Sequence, residues 1–416
     1  MQRTNTVLLT PTREQEQQLR SLAEASACLW NLANYERRQT LFKSQRVPTY
    51  AQQCKRLKNT NVFKQLGTCK AQAVLMKLRE AWGSYHALKR LERPGQLPPH
   101  IRHVRPPRYM KDRQTRKLVA ESIYVRNDGY RQNEDRLVLS KDLHVRFKTG
   151  DLWVGKQGRL ELHYDPLHKK WYGHIPVKVK WPRKGKPHQP TRKRASIDLG
   201  ICNLATCVVE GAEKAYVYSG RAVLSDWRYW TKRIAATESQ LKTVNGRNRS
   251  QHMSHLYRTR KRRLDHAVKA MLRDLFNRLE THGVTDLIVG DLKHIRDNTN
   301  HGKVGNQKLH NFWPFAQIRQ RIHELGEEYS IRVRFKSERG TSKRCSLCGE
   351  QHKNGRKYRG LYHCKTHNIL MNADVNGAYN ILYRSHRKVA AVSGSRPMAW
   401  PMLLKWNSQE WDVSAA

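Results

Sequence analysis

Between Cys345 and Asn380 the chain places four metal-type ligands just ahead of an aspartate-led helix, and no other stretch narrows the possible folds as far. It reads C-S-L-C-G, a basic spacer, C-K-T-H, then N-I-L-M-N-A-D-V-N-G-A-Y-N. The expected ligands are Cys345, Cys348, Cys364 and His367, with two residues inside each pair and fifteen between the pairs. Two knuckles of that spacing can set three thiolates and an imidazole tetrahedrally around zinc. Four protein ligands close the coordination sphere, so such a zinc is structural and the chemistry belongs elsewhere. Asp374, seven residues past His367, is the first candidate.

Charge narrows the partners. Lys and Arg number 80 against 34 acidic residues in 416, a formal net charge of +46. Self-repulsion on that scale opposes compaction, so it makes sense where a polyanion covers the surface. The excess is spread along the whole chain, which suggests a long nucleic-acid track more than one docking patch. Mean hydropathy is −0.83, and no apolar run approaches the length of a membrane span. Met1–Thr12 has no signal-peptide pattern. Five further cysteines, Cys28, Cys54, Cys69, Cys202 and Cys207, are odd in number and scattered. That usage fits a reducing, intracellular setting.

The hydrophobic pattern reads as an α+β multidomain chain. Residues 3–9 form a short strand, and a helix opens at Thr12 with Gln15 completing a capping box. Leu19, Leu22, Leu29 and Ala33, with Ser26 between, follow helical spacing; Val74, Leu78, Ala81, Trp82 and Tyr85 do so on a second helix over 70–91. After Pro94 the pattern becomes short alternating runs, with strands expected at 136–139, 143–148, 160–164 and 175–179. These suggest a small β-barrel or sandwich over 1–180, with helices inserted at about 11–91. A basic, Pro-rich linker at 181–194 separates it from a second region. There, S-I-D-L-G opens a strand–turn–strand, long basic helices follow, and L-I-V-G-D-L and I-R-V-R-F read as later strands.

Metal-assisted phosphodiester cleavage needs acids from separate elements converging on two cations. Asp198 in S-I-D-L-G fits a first-strand acid, and Asp374 fits an acid at the start of a helix. Each alone could be a hairpin-edge or helix-start aspartate. Together, with the zinc knuckles between them, they point to one site.

In order, S-I-D-L-G, L-I-V-G-D-L, R-G-T-S-K-R-C-S-L-C-G and A-D-V-N-G-A-Y-N resemble the TnpB proteins of insertion sequences, relatives of type V CRISPR effectors and Fanzor proteins. The specific likeness covers about 195–382; the N-terminal half matches in layout only. The resemblance implies a wedge-like N-terminal β-barrel with a helical recognition insertion, then an RNase H-like (RuvC) α/β nuclease domain over 195–382. The zinc ribbon would be inserted at about 341–370, and the tail, 383–416, lacks periodicity and is expected to be partly disordered. It further implies a guide RNA transcribed near the gene and a double-stranded DNA target cut beside a short transposon-adjacent motif. Catalytic Mg²⁺, and a place in the prokaryotic cytoplasm at the nucleoid, belong to the same expectation.

One departure matters. The family's second acid is usually a Glu immediately before D-L in the strand motif, and here that position is Gly290. Asp291 follows, but adjacent strand residues face opposite ways. Glu338 lies just past I-R-V-R-F, a strand expected parallel to and about 4.8 Å from L-I-V-G-D-L. The favoured triad is therefore Asp198, Glu338 and Asp374, also the expected Mg²⁺ ligands, with Asp291 second choice for the middle role. The family has members whose glutamate is relocated in this way. Asn372 stands where many relatives have Asp, and Thr341 and Ser342 are expected to be structural. Trp313 is expected to pack in the core, with His294 and His310 as weaker candidates for nucleotide stacking. Two rival functions remain open: an RNA-guided DNA-binding protein acting by occupancy, which Gly290 favours, and a zinc-containing regulator without guide RNA, which leaves Asp198 and Asp374 unexplained.

Overall fold

The computed structural model describes residues 1–98, 100–112, 115–148, 150–180, 193–246, 250–292, 300, 302–338, 340–358, 360–383 and 400–413. The chain divides into two units, Met1–Trp181 and Pro182–Ala416. Most of the expected basic linker and His294 lie outside the described residues.

In the first unit, β1 (Gln2–Leu9) leads into α1 (Arg13–Phe42), which is followed by α2 (Tyr50–Leu57), α3 (Asn61–Leu66) and α4 (Thr68–Glu92). Thr12 caps α1 as its spacing to Gln15 predicts: its hydroxyl accepts the Gln15 amide, and the Gln15 side chain accepts the Thr12 amide at 3.1 Å. The reciprocal pair satisfies two amides that a helix start otherwise leaves open. The apolar stripe of α1 splits its burial. Leu19 and Ala23 pack against the sheet, while Leu29, Trp30 and Ala33 join Val74, Leu78 and Trp82 of α4. Inside that helical core Trp82 Nε1 donates to Asn34 Oδ1 at 3.0 Å.

The strands that follow are β2 (Ser122–Val125), β3 (Arg131–Asn133), β4 (Arg136–Val138), β5 (His144–Lys148), β6 (Lys156–Gln157), β7 (Leu160–Asp165) and β8 (Lys170–Lys178). They pair in the order β2-β7-β8-β1-β5-β4-β3, with β6 on the side of β8. Val7, Leu137, Val145, Leu162 and Ile175 alternate onto one inner face and are fully buried. Among the described residues no pairing joins the end strands β2 and β3.

The second unit contains β9 (Arg194–Leu199), β10 (Asn203–Val209), β11 (Tyr216–Ser219), α5 (Arg221–Asn245), α6 (Gln251–Thr281), β12 (Asp286–Asp291), α7 (Gly302–Gln307), α8 (Phe315–Glu328) and β13 (Arg332–Ser337). A small sheet of β14 (Arg356–Tyr358), β15 (Leu361–Cys364) and β16 (Ile369–Asn372) leads directly into α9 (Ala373–Tyr383), and β17 (Met402–Trp406) and β18 (Trp411–Val413) close the described chain. The main sheet runs β13-β12-β9-β10-β11-β17-β18. β10 runs antiparallel to its two neighbours, β9 and β11, whereas β12 lies parallel to β9, and β13 parallel to β12.

Alternation sorts the two faces of this sheet. Ala195, Ile197, Leu199, Leu287 and Val289 face α6 and α8, meeting Leu272, Phe276, Ile318 and Ile322. Ile288, Val208 and Val217 face the other way and meet Val375, Ala378 and Ile381 of α9. Full burial of each such side chain contributes about 1.5–3 kcal/mol, so both helical layers are fixed by their apolar stripes. Trp313 is buried in the first layer, as expected, and His310 is exposed. Among the described residues no helix is long and apolar enough to cross a membrane.

Part of the tail is ordered. Residues 402–413 extend the main sheet: β17 runs parallel to β11, from Tyr216↔Met402 to Ser219↔Lys405, and β18 pairs antiparallel with β17. Trp411 is buried and its Nε1 donates to the Ala267 carbonyl at 3.0 Å. Strands of five and three residues are too short for period-two alternation to stand out. Residues 384–399 lie outside the described residues.

Candidate active site and metal centre

The face of the main sheet that meets α9 carries the acids. Asp198 has the same parity on β9 as Ser196, whose hydroxyl donates to the Ala378 carbonyl of α9 at 2.6 Å. α9 passes so close that a Cβ added at Gly377 would stand 2.6 Å from Asp198 Oδ2. On β12, Gly290 shares the parity of Ile288 and therefore this face. A Cβ added at Gly290 would overlap the Glu338 carboxylate and stand 2.6 Å from its Cγ. The Glu338 side chain thus fills the volume that a side chain at position 290 would otherwise take.

Asp291 points to the opposite face. Its Oδ1 accepts from Arg319 Nη1 of α8 at 2.6 Å, and that guanidinium lies 4.1 Å from the centroid of the Phe335 ring. Strand alternation accounts for the split: Asp291 belongs with Leu287 and Val289, not with Asp198.

Asp374 enters from the start of α9. Asn372 caps that helix, its Oδ1 accepting the amides of Asp374 at 3.0 Å and Val375 at 3.1 Å. Asn203, the first residue of β10, donates to Asp374 Oδ2 at 2.7 Å. Arg356 of β14 reaches Asp374 Oδ1 at 3.4 Å. Sequence reasoning missed both Asn203 and Arg356, since neither sits in a motif.

Electrostatics bind the three acids together. Burial, then the charges of Glu338 and Asp374, hold the Asp198 carboxyl well above the usual carboxylate range, with Arg356 acting the other way. Burial, then Asp291, pushes Glu338 up to about 7. Glu338 Oε1 is buried without a hydrogen-bond partner among the described residues. An orphaned carboxylate oxygen beside two more acids is costly unless a cation meets it. Three oxygen-donor side chains of this kind suit a hard divalent ion such as Mg²⁺.

The ligand atoms of Cys345, Cys348, His352 and Cys364 all lie within 4.8 Å of one another. Cys348 and Cys364 sulfurs are 3.8 Å apart, and His352 Nε2 is 3.1 Å from Cys348 Sγ. Tetrahedral zinc with bonds of about 2.3 Å to sulfur spaces its thiolates at close to that separation. The fourth member corrects the sequence expectation. His367 is exposed and its Nδ1 stands 3.4 Å from Cys364 Sγ, beside the group and not within it. The Cys345 amide bonds the Glu350 carbonyl at 2.8 Å, and Arg344 bridges Gln351, folding the chain back so that His352 falls against the thiols. His367 instead occupies the exposed turn before β16. The sequence signal for His352 is the continuation C-x₂-C-x₃-H, which the tidier C-x₂-H pair obscured.

Comparison with known proteins places these features in a group. Residues 174–296 match the family described as "Probable transposase", and residues 315–381 match "Cas12f1-like, TNB domain". The TnpB-like protein ORF457 of Acidianus two-tailed virus is 34% identical, over 92% of this chain and 86% of that protein. A CRISPR-associated endodeoxyribonuclease Cas12f1 from an uncultured archaeon is 37% identical over 84 residues, 18% of this chain and 16% of its own. Among solved structures, a Cas12f1–sgRNA–target DNA complex shares the fold at TM-score 0.55 and 14% identity, covering 89% of this chain and 83% of that one. A mini-RNA-guided endonuclease, CRISPR-Cas_phi3, does so at 0.50 and 10%, covering 96% and 94%.

Proposed function

Because the chain belongs to the TnpB-like family, we propose that it is an RNA-guided DNA endonuclease whose middle acid is supplied by Glu338. The observation that carries this reading is the Glu338 carboxylate standing in the volume that Gly290 leaves open, with an orphaned oxygen on the Asp198 face. The strand order with β12 and β13 parallel to β9 supports an RNase H-like nuclease core. The β-barrel reading of the first unit, the guide-binding role of its helical insertion and the domain limits drawn from sequence belong to the same proposal.

Asp198, Glu338 and Asp374 would hold two divalent cations. Bound there, the cations would activate water and steady the leaving oxygen of the cleaved strand. The residues themselves do the rest. Glu338 and Asp198 resist ionising together, which tunes the site to accept positive charge. Asn203 and the Asn372 cap fix Asp374 at a helix start, where the dipole favours its charge. Arg356, half-exposed beside Asp374, offers a cation to a phosphate oxygen at the mouth of the site. Base pairing with the guide would supply sequence specificity, and the +46 surface would grip the backbones. The zinc site, Cys345, Cys348, Cys364 and His352, would be structural.

The test uses purified protein with the RNA transcribed beside its gene and a motif-flanked duplex target, with and without Mg²⁺. Cleavage that requires Mg²⁺ and is lost in Glu338→Ala and Asp374→Ala is expected. Binding without cleavage under any divalent ion would sink the nuclease reading in favour of action by occupancy.

A further inference from the structure

Two asparagines on α9 tie the acids to the zinc knuckle. Asn380 is 9% exposed, and its Nδ2 donates to the Thr341 carbonyl at 2.8 Å and the Arg344 carbonyl at 2.7 Å. Thr341 in turn closes on Glu338: its amide donates to the Glu338 carbonyl at 3.0 Å and its hydroxyl at 2.8 Å. One helical turn earlier, on the same side of α9, Asn376 is fully buried. It accepts the Ser346 amide at 2.8 Å and donates to the Arg344 carbonyl at 2.9 Å. Arg344 and Ser346 flank the ligand Cys345. On its sheet side α9 is bonded to Ser196, two residues before Asp198.

These bonds make one path: Asp198 and β9, then α9, then Asn380, Thr341 and Glu338. We propose that Asn380 is a positioning residue that sets where the Glu338 carboxylate stands relative to Asp198 and Asp374, with Asn376 holding the zinc knuckle in the same frame. The inference rests on reading those three acids as the divalent-ion site. Its physical ground is that Glu338 has left the strand. A glutamate at position 290 would be fixed within the β12–β13 ladder, where Gly290 pairs with Lys336. Glu338 lies just beyond β13, so its place is set by the turn to Thr341, and Asn380 is the side chain that grips that turn. The path also gives the knuckle a route to the acids, since Arg344 is bonded by both asparagines.

The experiment measures Mn²⁺ binding to the full-length, zinc-loaded protein by electron paramagnetic resonance, without nucleic acid, alongside zinc content and melting temperature. Asn380→Asp keeps the shape but replaces the donor with an acceptor facing two carbonyls. It is expected to weaken Mn²⁺ binding on the order of tenfold, as loss of a metal site's supporting hydrogen bonds does, with zinc retained. The Mg²⁺ midpoint for cleavage should rise by the same factor, while the rate at saturating Mg²⁺ falls less. Thr341→Val removes only the hydroxyl bond to Glu338 and should shift both readings in the same direction by a smaller factor; it decides the matter if Asn380→Asp does not fold. Wild-type Mn²⁺ affinity in the folded variants overturns the inference. Glu338→Gln separates the two readings. If it leaves Mn²⁺ affinity unchanged, the divalent-ion site itself is wrongly placed; if it weakens binding while the other variants do not, only the positioning role fails.

Discussion

Adding a single methyl group at Gly290 is expected to slow cutting about a hundredfold without unfolding the protein. The Cβ of Gly290→Ala would overlap the Glu338 carboxylate and stand 2.6 Å from its Cγ. Carbon atoms rest about 3.5–4.0 Å apart, so the Glu338 side chain must retreat by at least about 1 Å. A displacement of that size in a reacting constellation can cost about 10²-fold, or about 2.7 kcal/mol of barrier. The cost to stability is smaller. Overpacking takes about 1–3 kcal/mol, and alanine returns about 0.5–1 kcal/mol over glycine inside a strand. The assay is single-turnover cleavage of an end-labelled target by guide-loaded protein at saturating Mg²⁺, run on the wild type, Gly290→Ala, Glu338→Ala and the double variant. Once Glu338 is alanine no carboxylate remains to displace, so the double variant should cut no more slowly than Glu338→Ala. Gly290→Glu combined with Glu338→Ala should recover activity, since it returns the acid to the strand. Wild-type cutting by Gly290→Ala, or strict additivity in the double variant, would refute the argument. Cleavage lost in Asp291→Ala but kept in Glu338→Ala would show that Asp291 is the middle acid.

Glu338 is held up to about 7 from an ordinary 4.5, so the folded state binds an extra proton between those values and stability falls as pH rises through them. Without divalent ions, Glu338→Gln should therefore be more stable than the wild type at pH 8, by at most about 3 kcal/mol, and equal to it at pH 4; a pH-independent difference in melting temperature speaks against this. His352→Ala should lose its zinc on purification while His367→Ala keeps it, as read by elemental analysis, and the opposite result would return the fourth ligand to His367. Trp411→Ala should cost about 3–5 kcal/mol in urea unfolding, because Trp411 is buried in the second unit's core; a loss under 1 kcal/mol would show that β17 and β18 contribute little.

Local rules carried much of the structure. Thr12 and Gln15 announce the start of α1 because a capping box is a three-residue event, and the stripes of α1 and α4 are long enough for period 3.6 to stand out. The facing of Asp291 followed from alternation on one strand. The relation of Glu338 to position 290 was legible only through the expected pairing of β12 with β13, since 48 positions separate the two residues in sequence. What stayed hidden depended on tertiary closure. His352 meets the thiols because a hydrogen bond from Cys345 to Glu350 turns the chain back, which ligand spacing does not encode. Asn203 and Arg356 reach Asp374 from the start of β10 and from the small sheet, 171 and 18 positions away. β17 and β18 are short strands that gain their order by pairing, β17 with β11 and β18 with β17.

The bonds from Asn380 and Asn376 to the residues around the first knuckle define a unit of exchange between relatives. A graft limited to 345–367 would carry the metal ligands but break its seams at Thr341 and Arg344, where the helix grips the incoming chain. A graft of 338–380 would bring Glu338, Asp374, the zinc knuckles and both asparagines, leaving as external demands a glycine at 290, an aspartate at 198 and the Asn203 donor to Asp374. In recombination between family members, position 290 and position 338 therefore have to travel as a matched pair. A crossover between them that joins a strand glutamate to a loop glutamate would crowd two acids into one volume, and the reciprocal product would have none.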